Sequence, residues 1–444
     1  MTERSLFEDT IVALSSGPPP AGIAVLRISG SGARSALDAL AGGVPAPRHA
    51  ALRAIRDSAG EIIDRGLVLF FPGPGSVTGE DLAEFHLHGG RAVISAALSA
   101  LTSLPGTRLA EAGEFTRRAF VNGRIDLTEA EGLADLLAAA TEIQLRQAVR
   151  QAGGAHRALY EDWARRLLHA RAMLEADFDF SDEDDVGDDA AAGVLSSVSR
   201  IAAEIRSHLA SASRGEIRRE GFRVAIVGAP NAGKSSLLNA LARREAAIVS
   251  DIPGTTRDLV EVTLDLAGIP VRLTDTAGLR DTSDVVEAIG VERAGDAMED
   301  ADLVLLLEAA DQTPAELTHV KRVPLDKLLR IRSKADLGEG EGPEGEMSIS
   351  VRTGSGVGHL LERLTEAARE AAGDVLEIVP TRERHRLCLA RTLAILDEAD
   401  LSNLPAEIAA ETLRWAGDEL GLLTGRHGVE DILDLVFSQF CIGK

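Results

Sequence analysis

The chain has 444 residues, which is too long for one ordinary domain, and we expect two or three domains. Apolar residues make up 45% of it, enough to fill several cores, although aromatic residues contribute only 3%. The net charge of −23 argues against a protein that nucleic acid contacts through a broad basic face, but it leaves room for RNA held by a local patch or by a partner.

Two cysteines, Cys388 and Cys441, give no disulfide framework and fit a reducing cytosol. The first residues lack the basic and apolar regions of a secretory signal. No uninterrupted apolar run approaches membrane-spanning length. We therefore expect a cytoplasmic protein without membrane association.

The first part of the chain, 1–124, mixes short strands with helices and is predicted to be a compact α+β domain. Helices are predicted at 33–41 and 91–103. The predicted strands are Thr10–Leu14, Ile23–Ile28 and Gly66–Phe71.

Two helical stretches, 125–220 and 377–444, flank the middle of the chain. The first opens on the capping-box pattern at Thr128–Glu131, and Gly153 and Gly154 interrupt it. Neither stretch offers a large aromatic core, since each holds one tryptophan. We expect them to pack together as one discontinuous helical domain.

Between them, residues 221–376 alternate strands with helices, which predicts an inserted, doubly wound α/β domain. A turn at Ala267–Pro270 is predicted to join two of its strands. The predicted strands are Arg223–Val227, Leu259–Leu266, Val271–Thr274, Leu303–Leu307, Leu328–Ile331 and Met347–Ser350.

A phosphate-binding loop follows the first strand of this domain. Gly228–Ser235 fits the pattern G-x-x-x-x-G-K-[ST] at every fixed position. Gly228 and Gly233 let the backbone turn so that its N–H groups point at phosphate oxygens. Lys234 can reach the β- and γ-phosphates, and Ser235 offers a hydroxyl to Mg²⁺. The alternative, a glycine-rich turn without a ligand, is disfavoured because a strand precedes the loop and a helix follows.

Downstream residues select the nucleotide. Asp275–Gly278 follows a strand and places Asp275 near Mg²⁺ and an N–H near the γ-phosphate. In the loop Gly254–Asp258, Thr256 is the natural second Mg²⁺ ligand. The carboxylate of Asp336, in Ser333–Asp336, can accept two N–H bonds from a guanine edge. In this order the motifs predict a GTPase.

Leu279 carries a mechanistic consequence. Ras-type proteins have a glutamine there that orients the attacking water, and leucine has neither donor nor acceptor. Hydrolysis must then use other groups. The candidates are Asn231, whose amide oxygen can hold a monovalent cation, and a downstream carboxylate such as Glu287, which would otherwise be read as a solvated surface charge.

The chain resembles the bacterial MnmE (TrmE) family of tRNA-modification GTPases essentially from end to end. Several matching segments lie outside the general GTPase motifs. The segments are GIAVLRISG, SVTGEDLAEFHLHGG, GEFTRRAFVNGRIDLTEAEGLADL, GAPNAGKSSLLNAL, SDIPGTTRD, DTAGLR and FCIGK.

The resemblance implies a multidomain α/β and α architecture: an N-terminal α+β folate-binding-like domain that dimerises the protein, a discontinuous helical domain and an inserted Ras-like P-loop G domain. It implies a potassium-dependent GTPase whose G domains meet across a homodimer. With an FAD protein of the MnmG (GidA) type, in a heterotetramer, the family adds a carboxymethylaminomethyl or aminomethyl group at C5 of the wobble uridine of certain tRNAs. The one-carbon unit would come from 5-formyl- or methylene-tetrahydrofolate.

The resemblance also assigns residues. Glu287, Asn231 and Lys234 would be catalytic. Ser235 and Thr256 would hold Mg²⁺, and Asn231, Ser250, Ile252 and Thr255 would hold K⁺. Arg27, Glu84, Arg124 and Lys444 would contact folate, and Cys441 matches a cysteine linked to activity. The GTP site would comprise Asn231, Ala232, Gly233, Lys234, Ser235, Ser236, Ser250, Asp251, Ile252, Pro253, Gly254, Thr255, Thr256, Asp275, Thr276, Ala277, Gly278, Ser333, Lys334, Ala335, Asp336, Ser350, Val351 and Arg352.

Two positions depart from the family pattern. Ser333 replaces the usual asparagine, so we expect a loop-bracing hydrogen bond to be lost or weakened and nucleotide affinity to fall. Arg124 stands where lysine is common, which keeps the charge but not the geometry. Two other functions stay open: a ribosome-assembly GTPase switch of the Era/EngA type, and a folate-dependent one-carbon enzyme with a regulatory GTPase.

Overall fold

The chain forms two compact units, each described separately below. The first comprises Met1–Ala134, Gln151–Leu168 and Gly417–Lys444, and the second comprises Asp135–Arg150 and His169–Ala416. The computed structural model describes residues 7–179, 189–244, 247–248, 260–275, 297–311, 320–337, 347–398, 403–426, 436–438 and 440–443, with the single positions 295 and 433. Among these residues, no helix is both long enough and apolar enough to cross a membrane.

The first unit is built on a sheet of six described strands. These are β1 (Thr10–Leu14), β2 (Ala21–Ser29), β3 (Ala51–Arg56), β4 (Ile62–Phe71), β5 (Leu82–Gly89) and β6 (Thr107–Leu109). Their spatial order is β3-β4-β5-β2-β1-β6, antiparallel except for the β1–β6 pair. The three predicted strands are confirmed, two of them longer than predicted, whereas β3, β5 and β6 were not predicted.

Helices α1 (Ala33–Ala41) and α2 (Arg91–Thr102) cover one face of this sheet and bury its main core, as predicted. On the other face, α3 (Glu114–Val121) places Phe115 against β1. The rest of that face is mixed: Ser29 and Leu82 are buried, whereas Ile23 is exposed. Because side chains alternate along a strand, Leu67 and its cross-strand neighbour Leu52 point away from the core. Leu52 is 68% exposed.

A buried arginine organises the carboxylates of the first unit. Arg118 is fully buried, and its guanidinium donates to Asp9 at 2.7 Å, to Glu114 at 3.0 Å and to Glu80 at 3.2 Å. Arg108 pairs with Asp9 and Glu114 as well, each at 2.6 Å. Burial acts to raise the pKa of Glu114, but Arg108, the Glu111 backbone N–H and Arg118 together outweigh it and hold the pKa below its usual value. This cluster ties the segment before β1 to α3.

Helical structure follows. Its helices are α4 (Leu127–Ala138), α5 (Glu142–Ala152), α6 (Ala155–Asp179), α7 (Asp189–Ala210) and α8 (Ala212–Glu220). The capping box predicted at Thr128 is wrong by two residues. Asp126 Oδ1 accepts from the Glu129 N–H and Glu129 Oε2 accepts from the Asp126 N–H, both at 2.7 Å. Burial raises the pKa of Asp126 to about 6.

Residues from both ends of the chain pack together, as predicted for the two helical stretches. In the first unit, Leu127 and Ala130 share an apolar cluster with Phe437 and Phe440. In the second unit, α11 (Glu383–Glu398) packs against α7, and α12 (Ala406–Thr424) follows it. Trp163 is buried, but Trp415 is half exposed and adds little core.

The second unit holds a sheet of seven described strands. These are β7 (Phe222–Gly228), β8 (Ala247–Ile248), β9 (Val260–Leu266), β10 (Ile269–Asp275), β11 (Leu303–Ala309), β12 (Leu328–Ser333) and β13 (Met347–Ser348). Their order is β13-β12-β11-β7-β10-β9-β8, parallel except where β9 pairs with β8 and β10. Its apolar core includes residues of α9 (Lys234–Arg244) and α10 (Val357–Ala372).

The predicted turn at Ala267–Pro270 is too long, because Ile269 and Pro270 already belong to β10. The turn is Ala267–Gly268, with φ of 55° and 85°. Asp265 Oδ1 accepts from the Gly268 N–H at 2.7 Å. Two central residues at positive φ match the twist of a tight hairpin.

Arg218 lies in α8, which leads into the first strand of this sheet, and it contacts the end of α10 and the segment after it. Its buried guanidinium donates to the carbonyl oxygens of Ala372 and Asp374 at 2.7 Å and of Glu377 at 3.1 Å. Burial lowers the pKa of Arg218. The arginine therefore satisfies carbonyl groups at the end of α10 and in the segment after it.

Candidate functional site

The phosphate loop joins β7 to α9 at the carboxyl ends of the parallel strands, where α/β proteins bind their ligands. A Cβ at Gly228 would stand 2.5 Å from the carbonyl oxygen of Leu307 on the neighbouring strand. Asn231 and Gly233 have φ of 64° and 96°. The loop therefore turns as the sequence predicts, with Asn231 as an exposed non-glycine residue in the left-handed region.

Lys234 is 6% exposed, and its ammonium lies inside the loop. Nζ donates to the carbonyl oxygens of Gly228 at 2.8 Å and Ala229 at 2.9 Å. Burial lowers the pKa of Lys234, and the charge of Asp275 opposes that shift. A phosphate beside this ammonium would stabilise its charged form, so the loop is suited to an anion.

Ser235 and Asp275 bring two oxygen atoms together from α9 and β10. Ser235 Oγ donates to Asp275 Oδ2 at 2.6 Å, and Asp275 is fully buried. Mg²⁺ prefers oxygen ligands and is usually held by few protein groups together with phosphate and water. The pair fits that ion. In the described ranges, no cluster of three or more His, Cys, Asp or Glu side chains offers another metal site.

Ser333 braces the phosphate loop from the end of β12. Its hydroxyl donates to the Ala232 carbonyl oxygen at 2.6 Å, and the side chain is buried. The predicted loss of the bracing bond is therefore wrong, because the hydroxyl reaches the loop directly. The expected fall in nucleotide affinity stays a prediction.

Asp336 is the acceptor proposed for the base. Ser350 Oγ donates to Asp336 Oδ1 at 2.6 Å, and this bond holds the pKa of the carboxyl below its usual value. Arg352 Nη1 lies 3.5 Å from Oδ2. The Ala335 N–H donates to the Ile349 carbonyl at 3.0 Å. This bond joins the two segments predicted to contact the base, Ser333–Asp336 and Ser350–Arg352. Asp336 is an ionised acceptor at neutral pH.

The structure thus gathers the phosphate loop, Asp275, Ser333–Asp336 and Ser350–Arg352 within one unit, as predicted. Ala232 and Val351 belong to or pack against its core, and Lys334 Nζ pairs with Asp311 at 2.9 Å. The predicted residues that lie outside the described part of the chain are Ser250, Asp251, Ile252, Pro253, Gly254, Thr255, Thr256, Thr276, Ala277, Gly278, Leu279, Glu287 and Lys444.

In the first unit, Arg27 and Glu84 are direct cross-strand partners on β2 and β5. Arg27 donates to Glu84 Oε1 from Nη2 at 2.9 Å and from Nε at 3.1 Å, and His86 Nε2 lies 3.0 Å from Oε2. Burial acts to raise the pKa of Glu84, but the His86 hydrogen bond and Arg27 outweigh it and lower the pKa. We call Arg27, Glu84 and His86 the polar row.

The other described candidates in the first unit, Arg124 and Cys441, are exposed. Arg124 follows α3 and lies close to Gly79, since a Cβ added at Gly79 would stand 3.3 Å from Arg124 Cγ. Cys441 precedes Ile442, which forms a β-bridge with Ala112. The carbonyl oxygen of Gly443 accepts from Ser15 Oγ at 2.8 Å, so the chain end is anchored beside the end of β1.

His86 was missed by the sequence reasoning. The signal was present as alternation in 83–88: apolar Ala83, Phe85 and Leu87 alternate with polar Glu84, His86 and His88. Period-two alternation predicts a half-buried strand, and it places Glu84 and His86 on the same face.

A largely parallel sheet with a phosphate loop at its carboxyl edge and the Ser235–Asp275 oxygen pair beside that loop has the architecture of a P-loop GTPase. The family model described as GTP-binding protein TrmE N-terminus matches residues 10–124, and the model of the MnmE helical domain matches residues 127–441. The chain belongs to the MnmE family of tRNA modification GTPases.

Full-length relatives agree. The tRNA modification GTPase MnmE of Brucella anthropi is 53% identical over 445 residues, and that of Brucella canis is 52% identical; each alignment covers 100% of both chains. The G domain of the Thermotoga maritima (T. maritima) FeoB iron transporter is 27% identical over 33% of this chain and 99% of its own, with a TM-score of 0.25, too low for any conclusion. The predicted fold class and the prediction of a GTP hydrolase in tRNA modification are confirmed, in preference to a ribosome-assembly switch.

Proposed function

We propose that this chain is a potassium-activated GTPase which, with an FAD protein of the MnmG (GidA) type, adds a carboxymethylaminomethyl or aminomethyl group at C5 of the wobble uridine of certain tRNAs. It would act in the cytoplasm as a homodimer within a heterotetramer, using a tetrahydrofolate one-carbon unit. The observation that carries the proposal is the 53% identity to an MnmE relative over the whole chain.

For GTP, each described residue has a defined task. Lys234 exchanges its two carbonyl partners for phosphate oxygens, and Asp336 accepts from the guanine N–H groups. When bound, Mg²⁺ and K⁺ supply positive charge beside the β- and γ-phosphates. Ser235 and Thr256 would hold Mg²⁺. Asn231, Ser250, Ile252 and Thr255 would hold K⁺.

Asn231 fits a cation site because its amide is exposed on a loop that wraps phosphate, and an amide oxygen is a suitable ligand for a hard cation. Glu287 would orient the attacking water, since Leu279 has no polar group to do so.

The polar row supports the folate assignment. Arg27 and Glu84 supply a cation and an ionised acceptor on the sheet face opposite α1 and α2, and Arg124 and Lys444 would add charge for the folate carboxylates. The exposed Ile23, Leu52 and Leu67 on that face support a homodimer, since an apolar sheet face of this kind suits a partner surface. Cys441, exposed beside the anchored chain end, is available for a chemical role.

Nucleoside analysis of tRNA tests the function. In a strain lacking this gene, the modified wobble uridines should disappear and return on complementation with the wild-type gene. Unaltered wobble uridines would refute the tRNA proposal.

Replacing K⁺ by Na⁺ tests the activation mechanism. We expect GTP turnover to fall by about tenfold or more. Leu279 has no polar group to assist hydrolysis, and without K⁺ the negative charge that develops on the phosphates loses the cation that stabilises it. Asn231→Ala should abolish most of the difference between the two salts. Equal wild-type rates in both salts would remove potassium from the mechanism.

A further inference from the structure

We infer that His86 is a positioning residue for Glu84, which leaves that carboxylate one acceptor site for a ligand N–H. The inference rests on the proposed folate function and deepens it. The observation behind it is the pair of contacts on Glu84: Arg27 on Oε1 and His86 on Oε2.

The hydrogen on the ring follows from the chemistry of the pair. The pKa of Glu84 lies below its usual value, so its carboxylate is ionised at neutral pH and can only accept. The contact of 3.0 Å from Nε2 to Oε2 therefore requires a hydrogen on Nε2. His86 keeps this donor whether its ring is neutral or cationic, so the bond persists across neutral pH.

Counting lone pairs then defines what a ligand can use. Oε1 accepts from both Nε and Nη2 of Arg27, which occupies its two acceptor sites. Among the residues that the structure describes, Oε2 accepts from His86 alone and keeps one site. A pterin or similar fused amide heterocycle would thus give Glu84 one N–H, not two, unless it displaced a protein donor.

Strand geometry holds the arrangement in place. His86 lies two residues from Glu84 on β5, opposite Val25 on β2 and Leu67 on β4, so its backbone is fixed on both sides. Without the Nε2–H bond, the glutamate would keep only Arg27 at one oxygen and could rotate about its terminal torsion. Positioning requires both contacts.

Binding of 5-formyl-tetrahydrofolate to the full chain tests the inference, with His86→Leu, His86→Gln and the control His88→Leu. His88 lies on the same strand face but pairs with Asp64 at 2.9 Å, so its loss should leave the affinity unchanged. His86→Leu should weaken binding about tenfold, the cost of losing a hydrogen bond to a charged group. His86→Gln should recover most of it, because the glutamine amide nitrogen can take the place of Nε2.

Equal affinity of wild type and His86→Leu would overturn the inference, and so would a glutamine variant as weak as the leucine variant. If the wild type binds no folate, the folate proposal fails. The contact between His86 and Glu84 is then tested in the protein without ligand. Imidazole ¹⁵N spectra should then show His86 as a single Nε2–H tautomer in the wild type and as a mixture in Glu84→Leu. A tautomer mixture in the wild type would refute the positioning role.

Discussion

The two units bury cations in different ways. In the first unit, Arg118 faces the carboxylates of Asp9, Glu80 and Glu114, so opposite charges meet inside the protein. In the second unit, the buried Lys234 donates to backbone carbonyl oxygens. Carbonyl dipoles satisfy the donors but leave a net positive charge.

The difference separates a structural cation from a binding one. Arg118 is buried and faces three carboxylates, so its charge is already neutralised and it gains little from a further anion. Lys234 has its pKa lowered by burial, and it lies in a loop that a phosphate can reach. Arg218 resembles Lys234 in that it donates to backbone carbonyl oxygens and has a pKa lowered by burial. Its partners, however, are different carbonyl groups, and it caps the end of helix α10. A buried cation therefore indicates an anion site only where the ligand has access.

The largest expected effect is on the binding cation. Lys234→Ala should reduce GTP hydrolysis on the order of a thousandfold, because the charge beside the β- and γ-phosphates is removed. Steady-state phosphate release measures it, with the exposed Lys327→Ala as the matched control. A loss of less than tenfold would place Lys234 with the structural cations.

The structural cation should act on stability instead. Arg118→Met should destabilise the first unit by about 4 kcal/mol, because three carboxylates lose a buried partner. Urea unfolding followed by hydrogen exchange in peptides of the first unit measures this, with Arg53→Met as the exposed control. An effect as small as that of the control would show that Arg108 alone neutralises the cluster.

Asp126 extends the comparison to a buried anion. Its folded pKa of about 6 lies above its ordinary value of 3.8, so its contribution to stability is complete below 3.8 and is lost as the pH rises through 6. The change amounts to about 3 kcal/mol. Hydrogen exchange of the first turn of α4, compared with Asp126→Asn at each pH, should show the wild type losing protection relative to the variant between pH 4 and pH 7. Parallel profiles would mean that the carboxyl titrates normally.

The smallest effect tests the neutral brace of the phosphate loop. Ser333→Ala should weaken GTP binding several-fold, since the Ala232 carbonyl loses a bond of about 1 kcal/mol. Nucleotide titration with a fluorescent GTP analogue measures it. Ser333→Asn should bind at least as well as the alanine variant; if all three proteins bind equally, the brace has no energetic role.

The placement of the described nucleotide-site motifs was predictable because these motifs fix local backbone geometry, whereas the roles of their residues stay predictions. The glycines and Lys234 force one loop conformation, and the predicted strands deliver Asp275 and Ser333 to the same edge of the sheet. The bond from Ser333 to Ala232 was not predictable, because it depends on a tertiary distance.

The misses have physical causes. The capping box was assigned to Thr128 because Ser, Thr and Asp are all good N-caps, and only the structure shows that Asp126 makes the reciprocal bonds. Strand β3 carries arginines that mask its alternation. His86 was missed because alternation places it on the same face as Glu84 but does not fix the side-chain rotamers that bring Nε2 to 3.0 Å from Glu84 Oε2.

Arg218 links the two ends of the inserted domain. It lies in the helix that leads into β7 and donates to backbone carbonyl groups at the end of α10 and just after it. One side chain therefore joins the segments that enter and leave the domain. Because the two ends of the insertion are held close together, the insertion is equivalent to a long loop between neighbouring helical segments. The entropic cost of closing a loop rises only slowly with its length. A domain could thus be acquired, exchanged or excised there without rebuilding its host.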